Sequence, residues 1–335
     1  MAERNRRVTL VRRPSGIPTP DDFALDVVDA PVPDDGGFLV RNLYLSIDPA
    51  QRGWAADVAN YATPSPLGEA MRALAVSIVT ESRHPDFAVG DHLYGFFGWQ
   101  DLCAANPADV LRRVDPELAP LSMAASLFGI TGLAAWIALT RCGEPTVGET
   151  VLVSTAAGAV GAIVGQIARN LGCRPIGLTG APDKVERCIQ RFGYVAAANY
   201  RTDDVAAFLD RAAPAGVDVF FDNTGGPILD ATLSRMATHG RIVQCGTASI
   251  SSWTPRPTGP RAEREILVRR LRWQGFVVFD YLAEFQTAVA QLDAWRRAGS
   301  LTCDEDITDD LAGAPAALAG LYRGENRGKR LIRLS

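Results

Sequence analysis

The chain is poor in the residues that build metal and disulfide sites. Among 335 residues there are only six cysteines and three histidines. Cys103, Cys142, Cys173, Cys188, Cys245 and Cys303 are scattered without C-x-x-C spacing, which predicts reduced, mostly buried thiols rather than a disulfide framework. A catalytic zinc needs three convergent Cys, His or carboxylate ligands and a structural zinc four; neither these cysteines nor His84, His92 and His239 supply such a cluster. The expectation is therefore no metal, which excludes chemistry assisted by a zinc Lewis acid. No apolar run approaches the roughly 20 residues needed to cross a bilayer. Met1-Ala2-Glu3-Arg4-Asn5-Arg6-Arg7 leads into no signal-peptide core, so a cytoplasmic protein without membrane contact is expected. Neither sign of charge dominates: 34 basic against 38 acidic residues leave a net −4, and no bulk field favours nucleic acid.

What is present is a soluble globular composition, 47% hydrophobic and 21% charged, in a chain long enough for two domains. From about residue 8 to 125, short apolar runs (Val8–Val11, Gly37–Leu43, Ala75–Val79, His92–Phe97) are broken by Pro, Gly and Asp, a β-rich pattern. Small and apolar residues at helical spacing over Leu121–Leu139 mark the passage to a second domain. Strand-type and helix-type segments then alternate: Val151–Ser154, Ile163–Leu171, Arg174–Leu178, Val185–Phe192, Val217–Asp222, Ile228–Met236 and Arg241–Cys245. Such alternation specifies a parallel sheet flanked by helices. Leu271–Val278 reads as a further strand, Leu282–Arg297 as a helix, and Arg330–Leu334 as a strand returning to the first domain.

Val151–Gly161 runs from an apolar strand through a small-residue turn into a helix. That is the context of a dinucleotide loop, where glycine lets backbone N–H groups approach a pyrophosphate at a helix N-terminus. Only Gly158 and Gly161 match G-x-G-x-x-G, because Ala156 stands at the first glycine. The second strand of such folds usually ends in an acid that binds the ribose hydroxyls of NAD. Here it ends Gly177-Leu178-Thr179-Gly180, and Lys184 follows in the next helix, where its ammonium could pair with a 2′-phosphate. A solvated helix lysine is the other reading of Lys184, and the missing acid favours NADPH. Phe220–Gly226 and Cys245-Gly246-Thr247 place polar and glycine residues at further strand ends, as a long cofactor requires.

These residues, with Leu45-Ser46-Ile47-Asp48-Pro49, Arg52-Gly53, Gly98-Trp99-Gln100, Gly129–Ala135, Gln274–Val278 and Gly324–Lys329, resemble the medium-chain dehydrogenase/reductases nearly end to end. The resemblance is to the zinc-free branch of prostaglandin, curcumin and double-bond reductases. It implies an α/β fold: a Rossmann doubly wound parallel sheet over residues 126–298, with a GroES-like β-rich domain built from 1–125 and 299–335. It also implies NADPH contacts at Gly158, Ala159, Val160 and Gly161 on the pyrophosphate, and at Lys184 and Tyr200 near the 2′-phosphate. Asn223, Cys245, Gly246, Thr247, Asn326 and the backbone of Phe276, Val277 and Val278 near nicotinamide complete the implied set. The implied reaction reduces a carbon–carbon double bond conjugated to a carbonyl, with hydride to the β-carbon, charge collecting on the carbonyl oxygen, and a proton to the α-carbon from a tyrosine or water. A homodimer joined at the strand 271–278 is implied too.

The chain departs from the family at two tyrosines. Ala50 stands in Asp48-Pro49-Ala50-Gln51-Arg52 where many members have tyrosine, and Val268 stands where prostaglandin reductases have another. Tyr61 is then the candidate proton donor or carbonyl partner, or else a loop tyrosine packing on the pocket wall; Tyr281 is a second candidate. The loops Asp57–Gly68 and Ser249–Arg264 are expected to wall the acceptor pocket, the latter holding Trp253, Pro255, Pro257 and Pro260 as an apolar lid. Two other readings stay open at this point: an NADPH quinone reductase of the same superfamily, and an NADPH-binding structural or sensing protein.

Overall fold

A computed structural model describes residues 3–58, 60–250 and 255–334. The chain divides into two compact units, Met1–Gly129 with Glu305–Ser335, and Ile130–Asp304. In the first, β1 (Arg4–Leu10) pairs antiparallel with β2 (Phe23–Asp29). The larger sheet is built on β3 (Phe38–Ser46), β4 (Leu74–Ser82), β5 (His92–Phe96), β6 (Leu102–Ala105) and β7 (Val110–Val114).

The second unit carries β8 (Thr150–Ser154), β9 (Arg174–Thr179), β10 (Ala196–Asn199), β11 (Val217–Asp222), β12 (Met236–Gln244) and β13 (Arg272–Gly275). The tail then returns β14 (Glu305–Asp309) and β15 (Lys329–Arg333) to the first unit, where the sheet order is β14-β15-β3-β4-β5-β7 with β6 also on β3. Every pairing in this sheet is antiparallel except β14 with β15. The strand expected at Arg330–Leu334 thus joins β3, Leu331 opposite Ser46.

The order in the second unit is β10-β9-β8-β11-β12-β13, all parallel. Numbered along the unit this is 3-2-1-4-5-6, the Rossmann doubly wound order. Strand β8 is buried at all five positions, as a parallel strand covered on both faces must be. Right-handed crossovers that run outward from β8 in opposite directions lie on opposite faces. One face is sealed by Phe208, Leu209, Ile228, Leu229 and Leu233, from helices Val205–Ala212 and Gly226–Leu233, against Leu152, Ile176 and Phe220. On the other, helix Ala159–Asn170 contributes Ile163, Val164 and Ile167, all fully buried.

The stretch of helical spacing over Leu121–Leu139 is not one continuous helix. A 3-10 turn at Leu121–Ala124 is followed by a tight return, with the Phe128 amide donating to Met123 O at 2.8 Å, before an α-helix at Ile130–Ala138 and one π turn at Leu139–Gly143. At Gly129 a Cβ would stand 2.7 Å from the Ala125 carbonyl carbon, so the return closes only around glycine. The strand expected over Leu271–Val278 is shorter, because pairing with β12 stops at Gly275 and the chain turns into a 3-10 stretch, Val278–Glu284.

Candidate functional site

The point where strand order reverses lies between β8 and β11, and open α/β sheets bind ligands at the carboxyl ends of the strands there. Strand β8 ends at Ser154, and the loop 155–158 delivers the chain into helix Ala159–Asn170, with Gly158 as its extended N-cap. The first intrahelical bond is from the Ala162 amide to Gly158 O at 2.9 Å, which leaves the amides of Ala159, Val160 and Gly161 as first-turn donors. A Cβ at Gly161 would lie 2.3 Å from Thr155 O, and one at Gly158 3.0 Å from the same oxygen. Side chains are excluded from this cradle by contact, and an anionic phosphate fits what remains: free N–H groups at the positive end of a helix.

Ala156, fully buried, fills the place of the usual first glycine. Its methyl would collide, at 2.6 Å, with any Cβ at Gly177 of β9, so the glycine has moved to the neighbouring strand. Tyr194 lies under the same helix. A Cβ at Gly165 would stand 2.2 Å from its ring, and its hydroxyl donates to Gly161 O at 2.6 Å. Complete burial pushes the Tyr194 phenol well above its ordinary pKa and keeps it a donor.

Asp222, at the end of β11 and fully buried, ties three strand ends together. One oxygen, Oδ1, accepts from Ser154 Oγ at 2.8 Å, Thr224 N at 2.8 Å and Thr224 Oγ1 at 2.9 Å. The other, Oδ2, accepts from Gly225 N at 3.0 Å and Gln244 Nε2 at 3.0 Å. Asn223 is held by the same arrangement, its Nδ2 donating to Ser154 O at 2.8 Å and its amide to Ser154 Oγ at 2.8 Å. A Cβ at Gly246 would stand 2.8 Å from Asn223 O, so the loop after β12 presses against the loop after β11. Between them Cys245 has its thiol pushed up to about 12, first by burial and then by Asp222, which makes it a neutral wall and not a nucleophile. Gly246 and Thr247 follow. Phe276 and Val278 are buried just beyond β13, with Val277 between them and the Phe276 amide on Gln244 O at 3.1 Å.

At the end of β9 no acid follows Thr179 until Asp183, in the first turn of helix Pro182–Gln190, where Lys184 comes next. Tyr200 leaves β10 with its amide on Thr179 O at 2.9 Å. Its hydroxyl lies 2.7 Å, and Arg201 Nε 3.3 Å, from where a Cβ at Gly180 would be. Arg201, exposed, joins the acid-free turn although sequence reading passed over it; the signal was its place beside Tyr200 in Asn199-Tyr200-Arg201-Thr202. Tyr194 was passed over too, and nothing local in the sequence marks it; Asp222 and Ser154 lay in strand-end segments already singled out, but their pairing with each other was not legible.

Tyr281 stacks on Phe276, centroids 5.2 Å apart, with its hydroxyl against the Cys142 thiol. Tyr61 and Asn326 belong to the β-rich unit. Tyr61 is 56% exposed on a loop that Asn60 fastens to helix Ala50–Ala55, through Nδ2 to Gly53 O at 2.9 Å. Asn326 lies in the turn before β15, donating to Gly328 O at 2.8 Å. The same turn presents Lys329, 1% exposed, whose ammonium binds Asp48 Oδ1 at 2.5 Å and Ile47 O at 3.0 Å. Two separate sequence blocks, 45–49 and 324–329, thereby meet in one buried ion pair. Trp253 lies outside the described residues. Among the described residues no group of three or more His, Cys, Asp or Glu side chains could hold a metal, and no helix is long and apolar enough to cross a membrane.

A family model described as the N-terminal domain of oxidoreductase matches residues 6–113, and one described as zinc-binding dehydrogenase matches residues 159–294. The NADPH-dependent curcumin reductase of Escherichia coli is 37% identical over 341 residues, covering 99% of this chain and 98% of its own. The chain belongs to the medium-chain dehydrogenase/reductases, in the family of the curcumin, alkenal and prostaglandin reductases. Another member, the putative NADP-dependent oxidoreductase YfmJ of Bacillus subtilis, is 39% identical over 341 residues, 100% of this chain and 99% of its own. The crystal structure of CurA from Vibrio vulnificus in complex with NADPH superposes with a TM-score of 0.92 at 33% identity, covering 98% of this chain and 99% of that one. In this reductase family the β-rich unit is the GroES-like domain and the six-stranded unit the Rossmann domain.

Proposed function

We propose that this protein is an NADPH-dependent reductase of carbon–carbon double bonds conjugated to a carbonyl, acting on small hydrophobic enones and enals. The observation that carries the reading is the phosphate cradle at the strand-order reversal, next to a second strand end, Thr179-Gly180, that carries no acid and has Arg201 against it. The amides of Ala159, Val160 and Gly161 would take the pyrophosphate, with Gly158 leaving room for it. Lys184, Tyr200 and Arg201 would take the 2′-phosphate, since a carboxylate at Gly180 would repel it and guanidinium and ammonium groups attract it. Asn223, Cys245, Gly246 and Thr247, fixed by Asp222, would border the nicotinamide side together with the backbone of Phe276, Val277 and Val278; Asn326 completes the set.

When bound, NADPH supplies the hydride. The protein's own part is to hold the acceptor, to stabilise the charge that develops on the carbonyl oxygen and to return a proton to the α-carbon. Tyr61 is the residue we assign to the proton, directly or through water: its exposed loop position is tethered at Asn60, and Ala50 and Val268 leave no tyrosine at the other two family positions. The names of the relatives support acceptors with an activated double bond.

The test is NADPH consumption, followed by absorbance, with matched enones, enals, quinones and saturated aldehydes. Turnover of enones and enals with products saturated at the α,β-bond is expected. Consumption confined to quinones would replace the reading with quinone reduction, and tight NADPH binding without consumption would remove the enzyme reading altogether. Tyr61→Phe is expected to lower kcat about a hundredfold, the low end of what a positioned general acid contributes; unchanged turnover would take Tyr61 out of the mechanism.

A further inference from the structure

In the β-rich unit the guanidinium groups of Arg72 and Arg52 lie against aromatic rings without a hydrogen bond to a carboxylate or carbonyl oxygen among the described residues. Arg72, just ahead of β4, is half-buried, its guanidinium carbon 4.4 Å from the Phe96 ring centroid and 5.4 Å from that of Trp54. Desolvation pulls its pKa down, while Tyr61 and Asp109 act on it from within electrostatic range and push the other way. Asp109 is already engaged by the Asn106 amide at 2.8 Å. Arg52 lies with its guanidinium carbon 5.0 Å from the Tyr322 ring centroid, and its buried Nη1 has no hydrogen-bond partner. The Tyr322 hydroxyl donates to Pro49 O at 2.8 Å. Tyr61 lies within electrostatic range of both Arg72 and Tyr322.

An aromatic face compensates a guanidinium only in part and leaves its N–H fork open. Burying such a charge without an anion is unfavourable, so the arrangement is suited to a planar anion brought from outside. Arg112, the comparable buried arginine of this unit, shows the contrast: it also stacks on an aromatic ring, Tyr94, but its fork is filled by Phe128 O at 2.8 Å and Ala124 O at 3.3 Å. We propose that the Arg72 guanidinium binds a carboxylate carried by the acceptor, so that the preferred substrates are enones or enals bearing an acid group. This rests on the acceptor reading of the Tyr61 loop given above.

The probes are a straight-chain methyl enone ending in a carboxylate, its methyl ester, and the saturated keto acid. The KM of the acid is expected to be about tenfold below that of the ester, ~1.4 kcal/mol, and Arg72→Met should bring the ratio close to one while Arg72→Lys keeps part of it. Calorimetry of the cofactor-free protein should show the saturated keto acid binding to wild type and not to Arg72→Met. Equal KM values for acid and ester in wild type, or a preference that survives Arg72→Met, would overturn the proposal. Keto-acid binding that depends on Arg72 without reduction of either enone would keep the anion site and discard the reductase reading. Should Arg72→Met fail to fold, the wild-type acid-to-ester ratio and the Arg72→Lys variant still decide.

Discussion

Asp222 shows how much of the site rests on one side chain. A carboxylate can be fully buried only where its oxygens are met by donors, and here hydroxyls, amides and a side-chain amide from three strand ends converge on it. Asp222→Ala would strand these donors. We expect a loss of about 2–4 kcal/mol of stability in urea unfolding, the scale of a few buried donors left unsatisfied. Asp222→Asn should cost less yet still weaken NADPH binding, because an amide turned toward Gly225 N or Ser154 Oγ opposes a donor with a donor. The Lys329–Asp48 pair is the corresponding fixture of the β-rich unit, joining the end of β3 to the start of β15 with Ser46 Oγ also on Asp48, at 2.5 Å. Removing one partner leaves a buried charge, so Lys329→Met is expected to destabilise by about 3–5 kcal/mol. Adding Asp48→Asn should recover part of that loss, which equilibrium unfolding of both variants would measure.

At the scale of elements, the loop 155–158 works because space has been removed from everything around it. The glycines at 158 and 161 were legible in the sequence, and so was the order strand, loop, helix that gives them meaning. The compensation at Gly177 for Ala156, and the wedge of Tyr194 against Gly165, were not, because both are contacts between neighbouring strands and helices that no local spacing encodes. The same limit explains the missed elements. Strand β10 reads Ala196-Ala197-Ala198-Asn199, with no β-branched or aromatic residue to announce it, and β14 reads Glu305-Asp306-Ile307-Thr308-Asp309, too charged for an apolar run. Both are defined by the strands they pair with. Gly161→Ala would force Thr155 O away from 2.3 Å and close the cradle, so NADPH affinity should fall by at least about tenfold, ~1.4 kcal/mol, in fluorescence titration while the fold survives. Arg201→Ala and Lys184→Ala should each weaken NADPH by roughly 1 kcal/mol, the value of an exposed charge pair, and leave NADH unchanged; equal effects on both cofactors would remove that residue from the phosphate site.

For the molecule as a whole, the open question is what covers the outer edge of the six-stranded sheet. Strand β13 lies at the end of the sheet order, and a strand in that position offers unpaired N–H and C=O groups to another chain. Beside it Leu267 is 76% exposed, Val268 52% and Trp273 40%. The charges around this apolar strip are already engaged, Arg269 with Glu265 at 2.9 Å and Arg272 with Glu144 at 3.2 Å, and Trp273 spends its N–H on Gln244 at 3.1 Å, so desolvating the strip strands few polar groups. An exposed apolar strip along an unpaired edge is the signature of an interface, and the occupant that fits an edge strand is a second copy of the same strand. We therefore predict a homodimer in solution, split by Leu267→Asp with Val268→Asp, as read by sedimentation velocity. Because β13 runs directly into Phe276, Val277 and Val278, the monomer should also bind NADPH more weakly. A wild-type protein that sediments as a monomer would leave this edge to some other partner and detach the cofactor site from assembly.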